Sequence, residues 1–400
     1  MSSCPTYLVL GKEADSPRGR LALMKAIEDD QLQGDNTGAF AHLDICLGCL
    51  ACQTSCPSGV QYGHLLEATR GYQYVNDRQL FGLQKPLLKI IASPTYLRWL
   101  SRLARALQLI RLDRLLIRLP ILPRPVRSQL AGLPKIPPQP FTRTAPSDFP
   151  SAAPDGQRRG RVALFTGCVM DHWYGTVHAA TVRVLRWNGY DVVLPVDNHC
   201  CGALHSHAGD HDTADVLLKN SAKVFDQIEA DAIIINSAGC GYQLAEKQWH
   251  CATGAPVIDI CVWLAANLRH PPQTRLGQRI TYDAPCHLFH GQGITREPLQ
   301  LLDAACQNML PAPEAEVCCG SAGIYSITQG HMSQQILDRK IDNIMSVEPR
   351  MLATANPGCH LQLQAGLRLR GANVDVRHVV EVLDLAYQQD DSYRRTFGIV

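Results

Sequence analysis

The chain has 400 residues, 46% of them hydrophobic, and 38 Lys+Arg stand against 36 Asp+Glu. This length supports two or three domains around a sizeable core, and the near-neutral balance gives no bulk electrostatic case for a nucleic-acid partner. Sixteen cysteines in a chain of this size are not the disulfide framework of a small secreted domain. No charged stretch followed by an apolar one opens the chain, and no run of about 18 uncharged apolar residues occurs. Neither an export signal nor a spanning helix is expected. A reducing, cytoplasmic setting that leaves thiolates available for metal fits best.

Residues 1–80 read as short helical pieces around one motif. Cys46, Cys49, Cys52 and Cys56, followed by Pro57, form C-x2-C-x2-C-x3-C-P. This is the ligand run of a bacterial-type [4Fe-4S] ferredoxin, in which the fourth cysteine ligates the other cluster of a two-cluster protein. The region is expected to be a small α-helical, ferredoxin-like domain that carries electrons.

Residues 81–130 read as helical and basic. Between positions 84 and 128 ten Lys and Arg face only Asp113, with Leu and Ile recurring three and four apart. That pattern suits an exposed amphipathic helix pair whose cationic stems cover apolar surface, or a face that lies on a membrane or docks a partner. Residues 131–158 are dense in proline, from Pro134 through Pro154, and read as a stiff linker without elements.

The remainder repeats itself. Cys168 and Cys286 each end an apolar run; Cys200-Cys201-Gly202 and Cys318-Cys319-Gly320 each lie 32 residues further on; Cys240 and Cys359 follow. Corresponding cysteines are offset by 118, 118 and 119 residues, which marks an internal duplication over 159–270 and 276–390. In the first copy 161–167, 191–195 and 232–236 read as strands and 176–188, 211–229 and 256–268 as helices. In the second, 279–284 and 350–355 read as strands and 297–306 and 332–345 as helices. The alternation predicts an α/β fold: two Rossmann-like parallel sheets covered by helices, with the cysteines where strands give way to loops.

Adjacent cysteines rarely bond each other, but both sulfurs can face one metal assembly if the backbone turns sharply, and the glycine permits such a turn. Four thiolates per copy (Cys168, Cys200, Cys201, Cys240; Cys286, Cys318, Cys319, Cys359) can hold an iron–sulfur cluster or a tetrahedral zinc. The spacing leaves both open. Cys251, Cys261 and Cys306 have no counterpart in the other copy and read as ordinary packing. His205, His207, His287, His290 and His360 fall near the motifs and read as neighbours of the sites more readily than as ligands.

A ferredoxin run, a proline-rich linker and two Cys-Cys-Gly domains together resemble the iron–sulfur subunit of glycolate oxidase, over essentially the whole chain. Subunits of lactate, glycerol-3-phosphate and heterodisulfide enzymes share the layout. Glu13-Ala-Asp-Ser-Pro-Arg-Gly-Arg20 and Cys56-Pro-Ser-Gly-Val-Gln-Tyr-Gly-His64 favour glycolate oxidase. The resemblance implies a complex in which an FAD-containing subunit oxidises glycolate to glyoxylate while this chain passes electrons toward an acceptor such as membrane quinone. The chain would then be cytoplasmic or peripheral on the inner face of the membrane. Substrate chemistry would sit on another subunit, since no G-x-G-x-x-G and no Ser-His-Asp arrangement is evident. The alternatives are a disulfide-reducing enzyme like heterodisulfide reductase, or the matching subunit of a lactate or glycerol-3-phosphate dehydrogenase.

Two departures qualify the resemblance. Family members carry two ferredoxin runs, the first ending Cys-Pro-Thr-Tyr; here only Cys4-Pro5-Thr6-Tyr7 remains of it. By the exchange rule Cys4 completes one cubane with Cys46, Cys49 and Cys52, and Cys56 is stranded. One cubane is supported as written, and two if the start lies further upstream. Alternatively Cys56 closes its own run. The Cys-Cys-Gly pattern also ends C-x-x-C in the family, whereas Gln243 and Gln362 stand at the last position here, which weakens the case for a larger shared assembly.

Overall fold

A computed structural model describes residues 3–32, 37–76, 84–119, 122–195, 200–247, 249 and 251–399. The boundary expected near residue 80 and the first two residues lie outside these. The amino-terminal region is helical, as expected: α1 (Pro5–Leu10), α2 (Pro17–Glu28), α3 (Thr37–Asp44), α4 (Ala51–Thr54) and α5 (Tyr62–Asn76). Local chemistry sets the first two. Pro5 and Pro17 occupy first-turn positions, where a missing N–H costs nothing, and the Ser16 hydroxyl accepts from the Gly19 amide at 3.0 Å.

Four basic helices follow: α6 (Gln84–Ala92), α7 (Pro94–Leu109), α8 (Leu112–Arg118) and α9 (Arg124–Gly132). Of these, α7 and α9 are anchored on the rest of the chain by their inner faces. In α7 Leu97, Ser101 and Ala104 are buried, one helical turn apart, and the Ser101 hydroxyl accepts from the Trp173 indole at 2.9 Å. At Gly132 in α9 a Cβ would come within 2.5 Å of the Leu361 carbonyl, so the two helix backbones can approach only because that position is glycine.

The proline-rich segment is not featureless. Phe141–Thr144 makes a helical turn, and β1 (Asp148–Phe149) pairs antiparallel with β3 (Tyr190–Val193). The prolines stiffen the chain, but between them a two-residue strand with free amides can still close a sheet edge. The first sheet has the order β1-β3-β2-β4-β5, with β2 (Gly160–Phe165), β4 (Ala232–Ile235) and β5 (Val257–Asp259). The second runs β7-β6-β8-β9: β6 (Leu276–Tyr282), β7 (Cys306–Met309), β8 (Met351–Thr354) and β9 (Asp375–His378). Every pairing except that of β1 is parallel. The central strands are buried on both faces, Ala232–Ile235 throughout, which is why they read as continuous apolar runs.

The expected helix over 256–268 begins later. Residues 257–259 are β5, and Asp259 caps a helix from Ile260 by accepting the Cys261 amide at 2.8 Å. A β-branched pair before a cap residue gave a strand that helical periodicity masked. The second copy also carries β7, β9 and the helices Pro357–Leu369 and Val379–Tyr387, which the sequence pattern did not resolve.

The two copies share one core. Val162, Leu164 and Ile234 of the first sheet join Ile280 and Ala353 of the second, and Val382 of the helix Val379–Tyr387, in a single apolar cluster. Arg183 on helix Gly175–Trp187 pairs with Asp384 on helix Val379–Tyr387 at 2.6 Å. Near the carboxyl ends of the strands, the Asn356 side chain accepts from the Gly239 amide at 3.2 Å. The strand ends that carry the cysteines of both copies thus come together.

Candidate metal centres

The four thiols of Cys4, Cys46, Cys49 and Cys52 line one small cavity of about 20 Å³, together with Arg20, Leu50 and Tyr62. Cys4 precedes α1, whose Pro5 turns the chain inward; Gly48 and Leu50 adopt left-handed backbone (φ 64° and 63°) to wrap the loop around the space. Cys56 lies outside this cavity, half-exposed. The amides of Val60, Ser58 and Gly59 aim at its sulfur and lower its pKa.

Arg20 stands beneath the thiols, 1% exposed. Its guanidinium donates to the His42 carbonyl at 2.9 Å and the Thr6 hydroxyl at 3.0 Å, and lies 3.9 Å from both Cys4 Sγ and the buried Asp15. Burial opposes its charge, but Cys46, Tyr62, Cys4 and Asp15 together outweigh burial and raise its pKa. The effect is mutual. Burial pushes the Cys46 thiol up, yet Arg20, Arg70, the Gly48 amide and the Tyr62 hydroxyl bring it below that of a free thiol. Cys52 is raised to about 12, first by burial and then by the charges of Cys46 and Cys4. Such crowded, buried sulfurs with inward-facing amides and one fixed cation suit an anionic-ligand cluster, whose iron supplies the positive charge they lack. The motif ending in Arg20 thus has a physical role that sequence reasoning did not assign. An arginine three positions past the helix-opening Ser16-Pro17 was the available signal.

The Cys-Cys-Gly turns are built alike. Gly202 and Gly320 have φ of 78° and 85°, as a sharp turn requires, and a Cβ on either would meet a helix carbonyl at 2.8 Å (Ala214 and Ser333). Each glycine amide points at the first sulfur of its pair at 3.5 Å. Cys168 Sγ lies 3.7 Å from Cys200 Sγ, and Cys286 Sγ 4.0 Å from Cys318 Sγ. Cys201 and Cys240 are in hydrogen-bonding contact, as are Cys319 and Cys359. Contact with Cys168 and Cys201 lowers the Cys200 pKa well below that of a free thiol, and contact with Cys318 and Cys359 does the same for Cys319. Each copy gathers its four thiols because β2 and β4 are adjacent, as are β6 and β8.

All eight of these thiols, together with Cys46, line a single cavity of about 470 Å³. Among the described residues, no three His, Cys, Asp or Glu side chains are disposed to hold a single metal ion. The five nearby histidines are held otherwise. His205 pairs with Asp210 (2.9 Å), His207 with Glu67 (3.0 Å), His287 with the Gly48 carbonyl (3.1 Å) and His290 with Thr54 (3.0 Å), while His360 packs on Tyr174. Cys251, Cys261 and Cys306 are buried among apolar side chains.

The ferredoxin-type loop is fastened to both copies. Arg70 on α5 donates to the Cys46 and His207 carbonyls at 2.6 and 2.9 Å, and the Tyr325 hydroxyl donates to the Ile45 carbonyl at 2.8 Å. Burial raises the Cys49 pKa, and so does the adjacent charge of Cys286.

Comparison with known proteins agrees with this geometry. A 4Fe-4S dicluster domain matches residues 1–60, and a cysteine-rich domain matches 162–245 and 280–364. A probable glycolate oxidase iron–sulfur subunit of Bacillus subtilis is 35% identical over 96% of this chain and 91% of its own length. The glycolate oxidase iron–sulfur subunit of Escherichia coli is 29% identical over 97% and 92%. Lactate utilization protein A of Geobacillus kaustophilus is 29% identical, over 56% of this chain and 98% of its own length. Two Cys-Cys-Gly copies behind a four-thiol pocket, matched over nearly the whole chain by the two glycolate oxidase subunits, show that the chain is an iron–sulfur protein with 4Fe-4S chemistry and belongs to the glycolate oxidase iron–sulfur subunit family.

Proposed function

We propose that this chain relays electrons within a glycolate-oxidising complex, from an FAD-containing partner that converts glycolate to glyoxylate toward a quinone-type acceptor, as a peripheral membrane protein. Cys4, Cys46, Cys49 and Cys52 would hold a [4Fe-4S] cubane, and the two Cys-Cys-Gly sets would hold further iron–sulfur centres. When bound, such clusters accept and release single electrons. The division into a ferredoxin-type domain (1–80), basic helices (81–130), a proline-rich connection (131–158) and two cysteine-rich copies (159–270, 276–390) belongs to the same reading.

One observation carries it. Cys46 and Leu47 line both the four-thiol cavity and the large cavity, so one loop joins the two kinds of site. Around it the chain supplies fixed charge and excludes water. Arg20 and Arg70 offset thiolate charge near Cys46, Leu47 packs between Cys318 and Tyr325, and backbone amides face the sulfurs. Hydrogen bonds and burial of this kind set cluster potentials.

The test is reconstitution. The isolated chain, purified anaerobically with iron and sulfide counted, should not turn over glycolate, and adding the flavin partner should give glycolate-dependent reduction of an artificial acceptor. A colourless, iron-free preparation that sustains full activity of the complex would sink the proposal. A second reading, a disulfide-reducing thiol enzyme, draws on the size of the cavity beside eight thiols. Disulfide reduction lost in Cys200→Ser would favour it.

A further inference from the structure

Helix α7 has two apolar faces, and only one of them is used. Leu97, Ser101 and Ala104 are buried against the protein, whereas Tyr96, Trp99, Leu100 and Leu103 point outward, followed by Leu109 and Ile110; Trp99 is 65% exposed, Leu103 59% and Ile110 70%. These fall at i, i+3, i+4 and i+7, resuming at i+13 and i+14: one continuous stripe. Scattered exposed leucines are ordinary, but an aligned apolar stripe containing a tryptophan marks an interaction surface.

Charge says what kind of surface. The stripe lies in the stretch 84–128, where ten Lys and Arg face one Asp, although the whole chain is nearly neutral. Arg102, Arg111, Arg114 and Arg118 are exposed, and the Arg102 guanidinium lies over the Trp99 ring at 5.3 Å. An apolar stripe bordered by arginines and carrying an aromatic residue at its edge has the composition of a helix lying in a bilayer interface, where anionic headgroups meet the cations. No helix among the described residues is long and apolar enough to cross a membrane, so contact by these helices would be from the surface.

The stripe continues inward. Leu100 belongs to it and also lines the 470 Å³ cavity, beside Leu87, Ile90 and Ile91 of α6 and Leu97 of α7. Apolar wall therefore runs from the outer face of α7 to the eight Cys-Cys-Gly thiols. A cavity of this size with mostly apolar walls and one chemically distinct end suits a flat lipophilic ligand.

We propose that the outer face of α7 seats the protein on an anionic bilayer, and that the apolar part of the cavity takes a quinone from that bilayer to the Cys-Cys-Gly sites. The quinone part rests on the electron-relay reading above. The balance is complete: glycolate gives two electrons and two protons in becoming glyoxylate, and the quinone takes two electrons from the relay and two protons from water in becoming quinol.

The test uses the whole chain and Trp99→Glu/Leu103→Glu, two exposed positions that do not line the cavity. The wild type should float with phosphatidylglycerol–phosphatidylcholine vesicles, bind phosphatidylcholine vesicles at least about tenfold less and release at high salt, while the double variant loses about tenfold in binding. In the complex with its flavin partner, the variant should keep wild-type reduction of a water-soluble dye and lose about tenfold with quinone dissolved in vesicles. Equal binding to neutral and anionic vesicles, flotation unchanged in the variant, or unchanged vesicle-quinone reduction would overturn the proposal. So would absent flotation with a variant that no longer joins the flavin partner, because the stripe would then be a protein interface. Absent dye reduction by the wild type would refute the relay instead, and flotation would still decide the membrane seat.

Discussion

The ammonium of Lys340 lies 2.9 Å from the carboxylate of Asp283, with both side chains almost wholly buried beneath the second Cys-Cys-Gly site. Lys340 also donates to the carbonyls of Glu314, Ala315 and Val317 at 2.7–3.0 Å, in the segment leading into Cys318. Burial opposes its charge, but Asp283 and the thiols of Cys319 and Cys359 outweigh burial and raise its pKa. At the 118-residue offset the first copy has Phe165 and Ala222, and Phe165 stacks on Phe225. The duplication is therefore electrostatically asymmetric: the buried lysine under the second set of thiols has no lysine or arginine at the matching positions of the first.

Replacing Lys340 by Met should lower the reduction potential of any centre that Cys286, Cys318, Cys319 and Cys359 hold and leave the other copy unchanged. Removing a fixed positive charge disfavours the added electron. The single variant also leaves Asp283 buried and unpaired, a loss of roughly 3–5 kcal/mol. Lys340→Met combined with Asp283→Asn should recover much of that stability and only part of the potential, because the negative charge that Asp283 exerts on Cys359 is removed as well. Redox titration followed by electron paramagnetic resonance, alongside urea unfolding, separates the two effects. Equal potentials in wild type and variant would refute the electrostatic role.

Single Cys→Ser changes should divide by position. At Cys4, Cys46, Cys49 or Cys52 the change should remove one cubane's worth of iron and sulfide. At Cys56, outside the four-thiol cavity, it should leave that cubane in place. At Cys251 or Cys306 metal content should not change. Iron and sulfide counts on anaerobic preparations decide this, and cubane loss in Cys56→Ser would reassign the fourth ligand.

Arg20→Met removes the cation under the four thiols. The Thr6 hydroxyl and His42 carbonyl lose a donor, and Asp15 keeps His42, at 2.8 Å. The expected result is a cubane of lower potential that is lost faster in air, with a folding cost of about 3 kcal/mol. Arg20→Lys keeps the charge and should retain more of the potential than of the stability, because a lysine cannot reproduce the forked contacts. Potentiometry on both variants checks the order, and a Met variant that matches the wild type would exclude Arg20 from tuning.

Asp259 gives a pH dependence of known sign. Its carboxyl is buried, and one oxygen accepts the Cys261 amide. Burial raises its pKa from 3.8 to about 7. Folding therefore favours the protonated form: its stability contribution is complete below pH 3.8 and is lost as pH rises through 7. Asp259→Asn keeps a capping oxygen and never ionises. It should be more stable than the wild type at pH 8, by roughly 2–4 kcal/mol, and the gap should close toward pH 4. Thermal melts across that range measure it; a gap independent of pH would show that Asp259 stays neutral or is solvated.

Much of the fold was legible in short-range pattern. Apolar runs at β2, β4 and β8, the constant offset between cysteines and the C-x2-C-x2-C spacing each depend on residues close in sequence, so periodicity and turn chemistry reveal them. The glycines after the cysteine pairs were readable for the same reason, since a sharp turn with left-handed backbone favours that residue. β5 was hidden because three strand residues run directly into a helix, and β1 because its partner lies some forty residues away.

What the amino-acid order determined by itself was an inventory: thirteen cysteines at cluster-ligand spacing, a duplicated α/β unit and a basic apolar stretch. Tertiary structure decided which of them meet. It put Cys4 with Cys46, Cys49 and Cys52, left Cys56 outside, turned the two Cys-Cys-Gly sites into one cavity, and set Arg20 and Lys340 under sulfurs that no local motif connects to them. The reason is physical. Spacing fixes which groups can turn toward a common point, but burial and charge act through space, and only the packed chain brings a cation to a thiol many residues away.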